Sequence, residues 1–176
     1  MPSEAHAKTE VSGRVVLSII GVMGAFKTVA REILGANGLG EAQPESWYPL
    51  DRFLGCFDTV AQRIGPNTVT AIGRHISATG PAPSEVHNLE EAFNVLDEAY
   101  RREHRGGDVG HYAYIATGER SCTIVSTTPY PPNFDEGVIQ ALVERFEPDS
   151  LVDVRIDHQA ESRRDGGSSC TFLVNW

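Results

Sequence analysis

His158, Glu161, Asp165 and Cys170 fall within thirteen residues near the end of the chain. An imidazole, two carboxylates and a thiol converging on a hairpin could hold a divalent transition metal. The spacing is not diagnostic, however: Asp165, Gly166 and Gly167 read as turn chemistry and Cys170 as an ordinary strand residue, so no metal is expected there. The remaining histidines, His6, His75, His87, His104 and His111, are scattered without ligand spacing and read as structural or surface residues. Three cysteines, Cys56, Cys122 and Cys170, are widely separated and odd in number. That pattern fits neither a disulfide framework nor a zinc site built from close pairs, and points to a reducing compartment. Cys56, between Gly55 and Phe57, reads as a small buried hydrophobe, with an acylated thiol as the alternative. No Walker loop, Gly-x-Gly-x-x-Gly, Gly-x-Ser-x-Gly, His-Glu-x-x-His or Cys-x-x-Cys occurs. With no acid, base or nucleophile singled out, the chain is not expected to be an enzyme.

Aromatic residues offer a different chemistry. Phe57, Phe93 and Tyr100 belong to apolar helix faces, and Tyr112 and Tyr114 share one face of a strand. A phenol turned into an apolar pocket supplies the oriented polar contact that small-molecule sites use. Phe57, Phe93, Tyr100 and Tyr114 are therefore the expected lining of any pocket, with a small apolar molecule or an acyl chain as its ligand. Packing alone would select the same residues, which leaves a protein–protein interaction or scaffold domain without a ligand as the alternative.

The elements that must position these residues follow from apolar periodicity. Residues 1–11 carry no pattern and read as a disordered leader; residues 12–176 read as a single α+β domain. Val15, Ile19, Val22, Phe26, Val29 and Ile33 recur at spacings of four and three, predicting one long buried helix. Phe53 to Ile64 and Val69 to Ile76 predict two more, the latter closed by the breaker run at 79–83. Asn88 and Asn133 each precede an acid by three residues, a capping-box spacing that opens a fourth and a fifth helix. From residue 110 the period becomes two, giving runs at 111–116, 122–127, 151–156 and 171–176. The C-terminal β-β-α-β-β unit predicts an antiparallel sheet on which the helical N-terminal half packs.

Charge and length narrow the partners. The chain has 176 residues, 24 acidic against 15 basic side chains and a net charge of -9, so a polyanion meets repulsion and nucleic acid is not an expected partner. The basic clusters Arg101–Arg102–His104–Arg105 and Arg163–Arg164 sit among acids and read as solvated surface. The apolar run from Val15 to Phe26 is twelve residues, too short to cross a bilayer, and no positive excess precedes it as in a signal peptide. No transmembrane segment and a cytoplasmic location are the expectation.

Taken together, the elements resemble the superfamily of the heme nitric-oxide-binding domains, the 4-vinyl-reductase-like sensor domains and the small subunits of the Golgi transport particle. The likeness is carried by Ser12-Gly13-Arg14-Val15-Val16, Trp47-Tyr48-Pro49-Leu50, Ile72-Gly73-Arg74, Asn133 through Gly137 and Ser169-Cys170-Thr171-Phe172. The chain is also similar to an uncharacterised bacterial family with the same Tyr-Pro-Leu run and a terminal Trp. The resemblance implies an α+β fold, a homodimer, and an apolar cavity between helices and sheet that relatives fill with heme, aromatic compounds or an acyl chain. Heme-binding members carry an axial histidine where this chain has Tyr100 in Val95-Leu96-Asp97-Glu98-Ala99-Tyr100. They carry Tyr-x-Ser-x-Arg where it reads Thr123-Ile124-Val125-Ser126-Thr127-Thr128. Heme is not expected on that basis, although tyrosine can serve as an axial ligand. Zinc-containing members use several cysteines near the final hairpin, and only Cys170 matches. No cofactor is implied.

Overall fold

The apolar spacing read across residues 15–34 continues through two helices rather than one. Ser12 caps α1 (Gly13–Val22) by accepting from the Val15 N–H. A 3-10 turn at Gly24–Phe26 then separates it from α2 (Lys27–Ala36). Gly24 has φ +45°, a conformation that side-chain-bearing L residues rarely adopt, and it turns the chain while the apolar phase carries over. Val16 and Ile19 from α1 and Ala30, Ile33 and Leu34 from α2 enter the same core.

The computed structural model describes residues 8–80 and 86–176. The first seven residues of the expected leader, and positions 81–83 of the breaker run, lie outside the described residues. Glu10 and Val11, which the sequence placed in that leader, are strand. β1 (Glu10–Ser12) pairs antiparallel with β2 (Trp47–Pro49) on one side and β3 (His104–Arg105) on the other, and Val11 is completely buried. Runs this short carry no readable periodicity, so none of the three strands was expected.

α3 (Leu50–Arg63) buries Leu50, Phe53, Cys56, Phe57 and Val60 along one stripe, and α4 (Pro66–Thr79) follows it. α5 (Leu89–Arg102) begins where expected: Asn88 accepts from the Glu91 N–H at 2.9 Å. The Glu91 carboxylate closes the box one residue early, on the His87 N–H. Asn133 does not cap α6 (Pro132–Phe146); Pro131 holds that position, and the Asn133 amide donates to the Pro66 carbonyl at 3.0 Å, tying the heads of α6 and α4 together.

β4 (Tyr112–Gly118), β5 (Ser121–Ser126), β6 (Asp153–Ile156) and β7 (Cys170–Asn175) form an antiparallel sheet of order β4-β5-β7-β6. Ile124 and Ile156 both face Phe172 across the ladder, and the inward positions of β5, β6 and β7 are all buried. The helical half lying on this sheet is the α+β arrangement expected. Among the described residues no helix is long and apolar enough to cross a membrane.

α4 and α6 pack closely enough for their backbones to touch. A β-carbon at Gly73 would overlap the Phe134 carbonyl, and one at Gly137 would overlap the Thr70 carbonyl. Each helix thus presses its backbone against the other's glycine, and the two run side by side in the same direction.

Candidate functional site

The seam between α4 and α6 fixes one wall of a half-open cavity of about 300 Å³ lined by α1, α4, α5 and α6. Phe134, Val138, Leu142 and Phe146 line it from α6 at every fourth residue. At 1.5 Å per residue that stripe is about 18 Å long. Leu96, Ala99 and Tyr100 form the facing wall on α5, with Val15 and Ile76 from α1 and α4.

Tyr100, His104, Tyr112 and Tyr130 form the floor. Tyr100 meets Tyr112 edge to face at 5.3 Å, and Tyr130 stacks on Phe134 at 4.5 Å. All three phenols are satisfied within the protein. Tyr100 Oη donates to the Val109 carbonyl at 2.6 Å, Tyr112 Oη to Asp135 at 2.5 Å, and Tyr130 Oη to His104 Nε2 at 2.8 Å. His104 Nδ1 in turn donates to the Tyr100 carbonyl at 2.7 Å, which fixes the tautomer in which Nε2 is the acceptor. Burial pushes all three phenols well above the ordinary tyrosine range, with the nearby Asp135 carboxylate adding to it. The floor therefore presents ring carbon to the cavity rather than free hydroxyls.

Beneath the floor lies a buried charged cluster. Asp135 is fully buried in the first turn of α6 and accepts from Tyr112, from Ser126 Oγ at 2.6 Å, from Thr128 Oγ1 at 3.0 Å and from Arg163 Nη2 at 2.5 Å. Arg163 also donates to the carbonyls of Thr128 at 2.6 Å and Ser126 at 3.0 Å. Its side chain is only 12% exposed, which corrects the reading of Arg163 as solvated surface. The expectation rested on its acidic sequence neighbours, whereas the acid that recruits it is 28 positions away. Burial raises the Asp135 pKa despite the opposing pull of Arg163.

Burial likewise lowers the His104 pKa, outweighing its hydrogen bond to the Tyr100 carbonyl and the field of Glu103. On acidification the unfolded chain binds a proton near the free imidazole value of about 6.5 while the folded chain still resists it. Stability is thus expected to fall as pH drops below that value, because protonation removes the acceptor for Tyr130. Denaturant midpoints between pH 7.5 and 5 should show this decline, and His104→Gln should flatten it.

Of the four aromatic residues expected at a pocket, Tyr100 lines the cavity. Phe57 lies one layer behind the floor, edge to face with Tyr130 at 5.8 Å and Phe134 at 5.3 Å. Phe93 and Tyr114 stack on each other at 5.7 Å, with Trp176 beside Phe93, in a separate cluster between α5 and β4. Tyr130 and His104 were missed because neither lies on a periodic stripe: one follows Pro129 and the other opens the two-residue strand β3.

The loop before β7 does not assemble a metal site. Glu161 accepts from the Ser168 N–H at 2.8 Å and from Ser169 Oγ at 3.1 Å, which holds its pKa down. Cys170 is buried, and its Sγ accepts from the Arg163 N–H at 3.3 Å. Among the described residues no three His, Cys, Asp or Glu side chains converge on a point. All three thiols are buried, and burial pushes those of Cys56 and Cys122 up to about 12, which favours their protonated form.

No family model and no curated protein matches the chain. Among solved structures it is similar over nearly its whole length to H-NOX domains. One is an oxygen-binding H-NOX domain related to soluble guanylate cyclases, with 16% identity, TM-score 0.69 and coverage of 93% of this chain and 94% of that one. Another is an H-NOX protein from S. oneidensis in the Fe(II)NO ligation state, with 14% identity, TM-score 0.70 and coverage of 93% and 98%. A third is an H-NOX protein mutant from K. algicida, with 12% identity, TM-score 0.69 and coverage of 93% and 95%. The fold is that of the H-NOX domains.

Proposed function

We propose that this chain is a non-enzymatic sensory domain that binds a small apolar molecule in the cavity between its helices and sheet. The observation that carries this reading is the cavity itself, long and apolar, over a floor whose polar atoms are all engaged elsewhere. A preformed apolar space of about 300 Å³ is at the small end of known ligand sites. No base stands ready to activate a nucleophile there: the Ser18 and Thr79 hydroxyls donate to backbone carbonyls, and His104 has both ring nitrogens committed.

Heme does not fit these residues. An iron ligand would have to come from Tyr100 or His104 at the floor. The Tyr100 phenol is held on a backbone carbonyl and resists ionisation through burial, while His104 has no nitrogen to offer. The protein-bound iron of the H-NOX structures is therefore not carried over.

The three buried thiols are in keeping with a cytoplasmic protein. The outer face of the sheet, where half-exposed Ile115 lies across from Thr123 and Thr123 across from Leu173, is where a homodimer would meet. Mass spectrometry under native and denaturing conditions, with an absorption spectrum of the same sample, tests the binding reading. The expected result is a small added mass lost on denaturation, or thermal stabilisation by apolar compounds, without a heme band. A bare protein that no apolar compound stabilises would overturn it.

A further inference from the structure

We infer that the cavity takes a monocarboxylate with an apolar body of medium length, and that Arg145 holds the carboxylate. This rests on the ligand-binding reading and names the ligand class it leaves open. At roughly 30 Å³ for a water-sized group, 300 Å³ admits on the order of ten non-hydrogen atoms. The lining is mostly carbon: the floor phenols donate elsewhere, the Ser18 and Thr79 hydroxyls donate to the Val15 and His75 carbonyls, and Ser77 alone adds a neutral hydroxyl, which does not compensate a charge. A ligand's polar group therefore has to sit at the rim.

Three arginines stand there, and two are already neutralised. Arg14 is paired with Glu103 at 3.1 Å and Arg102 with Glu98 at 2.5 Å. Arg145, in the last turn of α6, has no carboxylate partner among the described residues, because the adjacent Glu144 is taken by Arg74 at 2.7 Å. Its guanidinium lies 5.7 Å from the ring of Phe146, the last residue of the cavity stripe. That places a planar, permanently charged double donor at one end of an apolar channel, the arrangement that binds a carboxylate. An anion is the preferred head group even though the whole chain is negative, because among the described residues Arg145 is the rim arginine with no carboxylate beside it.

Calorimetric titration of the full chain with decanoate and decanol, wild type against Arg145→Gln, tests the assignment. Arg145 is exposed, so the variant folds, and Arg155→Gln on β6 serves as a control for loss of one charge. Decanoate is expected to bind more tightly than decanol, R145Q to weaken decanoate about tenfold without changing decanol, and R155Q to leave both unchanged. Along the series from butanoate to decanoate, each added methylene should tighten binding about fourfold. Equal loss in R145Q and R155Q, or unchanged decanoate binding in R145Q, would overturn the role of Arg145 while leaving the pocket reading intact. Failure of both decanoate and decanol to bind would overturn the two together.

Discussion

Asp135→Ala is expected to lower the free energy of unfolding by about 3–5 kcal/mol, the range for breaking a buried ion pair from one side. The loss arises from what is left behind. Arg163 would stay nearly buried with its charge uncompensated, and the hydroxyls of Tyr112, Ser126 and Thr128 would lose their shared acceptor. Arg163 already has one buried nitrogen, Nε, with no partner, so the cluster has no spare acceptor to substitute. Chemical denaturation measures the effect. Pairing Asp135→Leu with Arg163→Met should recover a large part of it, because replacing both charges by apolar groups removes the desolvation cost as well as the attraction. If the single Asp135 variant lost under 1 kcal/mol, the cluster would be hydrated in solution rather than buried as described.

Gly137→Ala is expected to destabilise by about 1–3 kcal/mol or more, an overpacking effect from a single methyl group. The atom it meets is the Thr70 carbonyl, which is backbone and cannot rotate away, and the Arg74 N–H lies 3.0 Å from the same point. The same holds for Gly73 against Phe134. Gly35 in α2 provides the contrast: nothing lies within 4 Å of a β-carbon built there, so Gly35→Ala should be neutral or stabilising by up to about 1 kcal/mol. Thermal melts of the variants side by side separate close packing from helix propensity. Because α6 lines the cavity, Gly137→Ala should also weaken whatever ligand the wild type retains.

Where side chains repeat along an element, the sequence was enough to place it. The stripe from Phe53 to Val60 is α3, and the Asn88–Glu91 spacing marks the start of α5. Periodicity also explains the main misreading, since Val22, Phe26 and Val29 keep helical phase across a turn that only the backbone of Gly24 reveals. The site was less legible because its parts are brought together by tertiary structure. Asp135 reads as an ordinary acid in a first helical turn, favoured there by the helix dipole, and nothing local says that Arg163 will cover it. Tyr100 was visible as an aromatic residue on an apolar face. Phe93 and Tyr114 share that description and pack on each other two turns farther along the same α5–β4 seam, away from the cavity, a distinction that residue type does not encode.

The paired glycines of α4 and α6 also bear on how the domain would respond mechanically. With backbone pressed on backbone at Gly73 and Gly137 and Asn133 pinning the two heads, that pair is expected to move as one unit. α5, by contrast, meets its neighbours through rings and aliphatic side chains, and its end leads directly into β3. A guest larger than the resting space would push the compliant wall and leave the α4–α6 pair still. The displacement would then be delivered through β3 to β1, at the three-stranded sheet that the first described residues help to build.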